Sequence, residues 1–309
     1  MDRQVTFLKF FGIISIAFAI RYELIGQNKK PNKPPYSIVN VKFEQHCFSK
    51  CHHDEKCASF LIQTTSKDNP ITCHFYNTTT TNLIESQTAL QGTKLYTDIQ
   101  DCRDLYHLGY KASGIYSLNL PGGVGTKDVR CDMENRGGGW MVFTYRMIGQ
   151  HDWNADWETY KNGFGEHPGD FYIGNDILHK ITTSGDYEFY YISEDLETGQ
   201  KYNGWYEHFY IESESDLYRL RLLGNSEGTV NTLNFHNNRA FSTIDRDNDN
   251  HETTFCARDT RKGANWWYRC GQFSPFGRFH DTTSAHVCMG VETIPKKCSK
   301  YFQMMFRRR

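Results

Sequence analysis

Phe241-Ser242-Thr243-Ile244-Asp245-Arg246-Asp247-Asn248-Asp249-Asn250-His251, followed by Cys256-Ala257 and by Trp266-Trp267-Tyr268-Arg269-Cys270, is the stretch around which the chain beyond Asp101 is arranged. Aspartates at alternate positions, with Asn between and after them, set several hard oxygen ligands in one short loop, as an oxygen-coordinated calcium ion needs. Extended backbone would throw those side chains to alternate faces, so their convergence requires the chain to curl, and a cation is the simplest cause. A solvated acidic turn is the competing reading, and the motif alone leaves both open. An EF-hand is excluded, because the twelfth position counted from Asp245 is Cys256, where a Glu belongs, and the sixth is Asn250 instead of Gly.

At 309 residues the chain admits one large domain or two ordinary ones, and two is the reading taken here. A net charge of -1 and the lack of a basic stretch beyond Arg307-Arg308-Arg309 remove an electrostatic case for nucleic acid. That tripeptide reads as a solvated tail. An aromatic share of 15% suits carbohydrate or protein surfaces and equally a broad, loop-rich core. Arg3 and Lys9 precede an apolar run, Phe10 to Ala19, that closes on Ala17-Phe18-Ala19. Residues 1–19 are therefore expected to be a secretory signal, and the run falls short of the ~20 apolar residues of a membrane span. A secreted, extracellular chain without stable membrane insertion follows. In that compartment ten cysteines, an even number, read as disulfides. Asn77-Thr78-Thr79 is a glycosylation sequon.

Residues 20–35, with Lys29, Lys30, Pro31, Pro34 and Pro35, have the composition of a linker. Tyr36 opens a unit whose Ser37-to-Phe43 segment alternates like a strand, with Cys47 and Cys51 on one helical face beyond it. Ala58-Ser59-Phe60-Leu61-Ile62 and Cys73-His74-Phe75-Tyr76 read as a hairpin around a turn at Lys67-Asp68-Asn69-Pro70. The framework resembles the PAN/apple domain over residues 36–97. That resemblance implies the pairs Cys47–Cys73 and Cys51–Cys57. A zinc site from His46, Cys47, Cys51, His52, His53 and Cys57 competes, but an oxidising compartment and the lack of a second ligand pair set it aside.

From Asp101 the texture becomes glycine-punctuated and short-stranded. Gly109 to Tyr116, Val129 to Met133 and Gly137-Gly138-Gly139-Trp140-Met141-Val142-Phe143 read as strand, strand and strand. Asn175 to Thr182 carries Ile177, Leu178 and Ile181 at helical spacing, and Glu188–Ile192, Tyr206–Ile211 and Tyr218–Leu223 read as strands. With Trp157 to Gly165, Phe171 to Thr182, the aspartate loop and the double Trp, residues 98–309 resemble the fibrinogen C-terminal globular domain, shared by ficolins, tachylectins, fibrinogen chains, tenascins and angiopoietins. The expected class is α+β: a disulfide-stapled PAN/apple-like domain followed by a fibrinogen-like domain of mixed short strands and helices.

The resemblance implies the pairs Cys102–Cys131 and Cys256–Cys270, and one Ca2+ held by Asp247, Asp249 and the carbonyls of His251 and Thr253, with Asp245 close behind. It also implies a cis peptide at Arg269-Cys270 beside a recognition pocket. The sequence departs from the family there. Gly271 follows Cys270 where acetyl-binding relatives carry His, and Ser274-Pro275-Phe276-Gly277 replaces Asn-Leu-Asn-Gly. A remodelled ligand surface from Arg269, Cys270, Trp267, Tyr268, Phe273, Phe276 and Phe279 is the alternative to the acetyl slot, with Trp266 kept in the core. Cys288 and Cys298 have no family counterpart and staple two late strands or bridge two chains, which leaves oligomerisation open.

An enzyme is not expected. The Gly-x-Ser-x-Gly elbow is absent, the His residues are scattered, and Glu194 and Asp195 fall where the family has a structural Asp. The primary expectation is a secreted, calcium-dependent, lectin-like glycoprotein of the innate-immunity type that binds glycans or acetylated groups. The alternative is an extracellular adhesion or signalling ligand with a protein partner and no sugar site.

Overall fold

The computed structural model describes residues 22–27, 34–52, 54, 56–64, 71–77, 93–230, 232–271, 273–278, 290–291 and 298–309. The expected signal, Phe279 and Cys288 lie outside the described residues. The chain divides into two compact units, with the boundary between Gln100 and Asp101.

The first unit runs β1 (Tyr22–Gln27), β2 (Ser37–Val41), α1 (Gln45–His52), β3 (Ser59–Gln63), β4 (Ile71–Tyr76) and β5 (Thr93–Asp98). Its strands form one antiparallel sheet in the order β1-β5-β3-β4-β2. Residues 20–35 read as linker throughout, yet residues 22–27 take the sheet edge, with Tyr22 opposite Asp98. The reason is local: Tyr22-Glu23-Leu24-Ile25 carries strand-forming residues that the Lys- and Pro-rich remainder lacks. β3 and β4 form the expected hairpin, Leu61 opposite His74. Val41, Cys47, Cys51, Phe60, Ile62 and Phe75 make a small buried core. Cys47–Cys73 ties α1 to β4, and Cys51–Cys57 closes the turn after the helix. A core of this size needs such staples, each typically worth about 2–4 kcal/mol.

The second unit runs α2 (Cys102–His107), β6 (Gly114–Leu120), β7 (Gly125–Asp132), β8 (Trp140–Arg146), α3 (Trp157–Asn162), β9 (Phe164–Gly165), β10 (Phe171–Tyr172) and α4 (Asn175–Thr182). It continues with β11 (Tyr187–Asp195), β12 (Lys201–Ile211), β13 (Leu220–Gly228), β14 (Phe273–Ser274), β15 (Gly290–Val291) and β16 (Ser299–Arg308). The main sheet has the order β13-β12-β11-β16-β8-β10-β9, with the β6–β7 hairpin joined to β8 through β7. β16 therefore lies at the centre, Phe306 opposite Phe189 on one side and Met305 opposite Val142 on the other. Phe143, Phe189, Phe209 and Phe306 meet beneath it with ring centroids 5.0–6.4 Å apart. Much of the aromatic content is thus core.

The helix expected at Asn175–Thr182 forms over those residues, with Leu178 and Ile181 buried. Cys102–Cys131 ties α2 to β7, and Cys298 is also disulfide-bonded. The solvated tail expected at Arg307-Arg308-Arg309 is corrected. Arg307 pairs with Glu188 at 2.7 Å, Arg308 with Asp101 at 3.2 Å and Arg309 with Glu207 at 3.1 Å. A central strand has neighbours on both sides, so its charged end meets carboxylates instead of solvent. Asn77 follows β4 and is exposed, as a glycan acceptor requires. Among the described residues no helix is long and apolar enough to cross a membrane.

Candidate functional site

The aspartate loop is framed by short polar side chains. Asn248 N–H donates to Ser242 Oγ at 3.1 Å and its Nδ2 to the Phe241 carbonyl at 2.8 Å, which closes the turn. Thr243 and Arg246 exchange backbone bonds within it, and Ser242 exchanges another pair with Asn265. Asn265 Nδ2 then donates to the Phe273 carbonyl, so one buried amide joins the acidic loop, the Trp266-Trp267 segment and β14.

The aspartates divide into two roles. Asp245 Oδ1 accepts from the Trp157 N–H at 2.9 Å and from the Thr243 hydroxyl at 2.6 Å. It satisfies a donor that the first turn of α3 leaves orphaned, and does not join the other two carboxylates. Its expected place close behind the metal is thus occupied by a carboxylate already bonded to α3. Asp249 accepts the His251 N–H and the Cys256 N–H, both at 2.8 Å, which curls residues 249–256 back on themselves. Asp247 and Asp249 lie within hydrogen-bond reach of each other, and partial burial followed by the Asp249 charge pushes the Asp247 carboxyl above its usual range. Two carboxylates brought together, with the Arg258 charge acting on Asp247 only as a lesser influence, form a donor pair for a hard cation. Among the described residues no three His, Cys, Asp or Glu side chains converge there.

Cys256–Cys270 stands beside this loop, with Ala257 and Trp267 buried against it. The expected cis bond at Arg269-Cys270 is not found; among the described residues His167-Pro168 is the cis peptide. The turn is made another way. Arg269 and Cys270 take φ of 44° and 56°, two successive left-handed residues, and the Arg269 N–H reaches Asn250 Oδ1 at 3.4 Å. Such conformations cost non-glycine residues about 1–2 kcal/mol each, and the disulfide and the Asn250 contact hold them in place.

The expected aromatic ligand surface is only partly a surface. Trp267, Phe273 and Phe276 are fully buried, and Phe276 stacks on Trp153 at 5.6 Å. They support the site from below, because the Arg146 guanidinium, itself buried, donates to the Pro275 and Gly277 carbonyls at 2.6 and 2.7 Å and draws that turn onto β8. Burial pushes this guanidinium down to about 9, so it remains cationic at neutral pH. Tyr268 and Arg269 do reach solvent.

Two partners of Tyr268 escaped sequence reasoning. Phe235, 52% exposed, stacks on Tyr268 with ring centroids 6.2 Å apart, and Arg239 sits 4.7 Å over the same ring. With Arg269 at 5.9 Å, an aromatic pair is flanked by two guanidiniums immediately beside the acidic loop. The only signal was Leu233 and His236 at one-turn spacing, which buries them and leaves Phe235 facing outward. His236 Nδ1 donates to the Trp266 carbonyl at 2.7 Å, which fixes this segment against the double Trp.

Residues 98–307 match the family model for the C-terminal globular domain of fibrinogen beta and gamma chains. Human tenascin-R is 38% identical over 208 residues, covering 66% of this chain and 15% of tenascin-R. Human angiopoietin-related protein 7 is 39% identical over 194 residues, covering 61% of this chain and 54% of that protein. The chain thus spans about half or less of the length of these two relatives. Among solved structures, lamprey fibrin D-dimer complexed with the peptide ligand Gly-His-Arg-Pro-amide superposes with a TM-score of 0.57 at 25% identity, over 68% of this chain and 73% of that one. The chain belongs to the fibrinogen C-terminal globular-domain family.

Proposed function

We propose that the chain is an extracellular ligand that binds a protein partner through Phe235, Tyr268, Arg239 and Arg269, beside a loop that calcium stiffens. One observation carries this reading: an exposed aromatic stack clamped by two arginines, the residue types that dominate protein-binding hot spots. The tenascin and angiopoietin-related relatives and the peptide bound to lamprey fibrin D-dimer support it. The acetyl-group reading has less support, because Gly271 follows Cys270 where acetyl-binding relatives carry His, and burial of Trp267, Phe273 and Phe276 narrows the remodelled surface to Tyr268 and Arg269.

Calcium is part of the proposal. Asp247 and Asp249 would hold it with the carbonyls of His251 and Thr253. A bound cation would neutralise the carboxylate pair and fix the loop that carries Asn250, hence the Arg269 turn. The first unit is proposed to be a PAN/apple-like adhesion module, supported by its helix stapled to an antiparallel sheet. Screening the chain in calcium against arrays of extracellular protein domains and of glycans tests the main reading. The expected result is a protein-domain partner whose binding weakens about tenfold or more in Phe235→Ala and Tyr268→Ala, as loss of a hot-spot aromatic should do. Binding confined to acetylated glycans would overturn it.

A further inference from the structure

One edge of β8 is shared by two strands. β7 pairs with Trp140, Met141 and Val142, and β10 pairs with Thr144 and Tyr145. Had β7 kept its register, Val129, Asp128 and Lys127 would face Phe143, Thr144 and Tyr145. β10 occupies that place, so β7 continues along β6 alone and its other edge lines a fork in the sheet.

The fork encloses a cleft of two lobes, about 450 and 270 Å³, that share Lys127, Asn162 and Ile177. Val129, Val142 and Phe171 give the larger lobe an apolar, buried floor. The smaller lobe is basic. Lys127 and Lys180 are exposed and make no ion pair among the described residues, whereas Lys161 is held by Glu214 at 2.6 Å. Asp176, the carboxylate of that lobe, accepts from the Tyr218 hydroxyl. At the far end of the larger lobe, His167 hydrogen-bonds the Asp128 main chain, and its buried Nδ1 has no partner. A ring that donates from one nitrogen presents the other as an acceptor.

We propose that this fork is a second binding site, which takes an extended peptide segment of a protein partner alongside β7. A strand edge without a strand partner is a template for main-chain pairing, and beyond the Asp128 group that His167 occupies a peptide has the matching N–H and C=O groups. An acidic residue of the peptide meets Lys127 and Lys180, and apolar side chains cover the floor. No residue of this cleft belongs to the aspartate loop or to the Phe235–Tyr268 stack, so the two sites are separable.

The test is selection of a displayed library of random linear peptides against the whole chain, followed by hydrogen exchange with a selected peptide. Enrichment of segments with an acidic residue next to alternating apolar ones is expected, with slowed exchange at residues 127–129. Their binding should weaken about tenfold in Lys127→Glu/Lys180→Glu, the size of two partly exposed ion pairs turned repulsive. It should not change in Phe235→Ala. Both lysines are exposed, so an unchanged melting temperature confirms that the variant is folded. Failure to enrich any peptide, or equal binding to the double variant, overturns the proposal.

Discussion

Replacing Arg146 with Met tests whether the turn under the recognition surface is held by a buried cation. The methionine fills much of the same volume, so the loss is chiefly polar. Two carbonyls, Pro275 and Gly277, lose their donor inside the protein, at about 1–3 kcal/mol each. The guanidinium also lies 4.2 Å over the Trp153 ring, a contact worth roughly 0.5–2 kcal/mol. Against this, folding no longer has to strip water from a charge, which often makes apolar replacement of buried ions neutral. Orphaned carbonyls tip the balance, and the net is a destabilisation of about 3 kcal/mol. For a unit of this size that lowers the melting temperature by about 6–12 °C. All six Trp lie in the second unit, so tryptophan fluorescence during denaturant unfolding, with disulfides intact, reports that unit alone. A loss below about 1 kcal/mol would show that the two carbonyls find other donors and that Arg146 does not hold the turn.

The carboxylate pair and the buried histidine give two further outcomes. Asp247→Ala combined with Asp249→Ala should abolish any calcium-dependent rise in melting temperature, and a chain that still responds to calcium refutes the site. Burial, then Arg261 and Arg239, push His236 down to about 4 from 6.5, so the unfolded chain takes up its proton first as pH falls. Stability is therefore greatest above pH 6.5 and declines towards pH 4, by up to about 3 kcal/mol from this group. His236→Gln, which can still donate to Trp266, should lack that part of the slope; identical slopes in the two proteins would refute it.

How much of this was legible in the sequence depended on whether a residue acts through its neighbours in the chain. Asn175–Thr182 announced itself, because Leu178 and Ile181 mark one face of a helix regardless of what covers it. The Asp247–Asp249 pair was legible for the same local reason. The bond of Asp245 to the Trp157 N–H was not, because its partner is 88 residues away. The aromatic surface was misjudged where type was taken for exposure. Phe273 and Phe276 look like Tyr268 in sequence, but Arg146 pulls their turn inward across a separation of more than a hundred residues. Phe235 was missed because a single helical turn is too short to display periodicity. Strand β1 was missed because its partner, β5, comes only after three intervening strands.

The position of β16 has a consequence for the order in which the second unit can be assembled. Every other strand of that unit precedes it in the chain, yet it is the one that joins β11 to β8. During synthesis the β11–β12–β13 meander and the β6–β7–β8 group can each pair internally, and Cys102–Cys131 can close, while the seam between them waits. Until Phe302, Met304 and Phe306 emerge, two strand edges and the aromatic rings around Phe143 stay uncovered. The two halves of the sheet therefore wait for β16, whose arginines then tie its end to Glu188, Asp101 and Glu207.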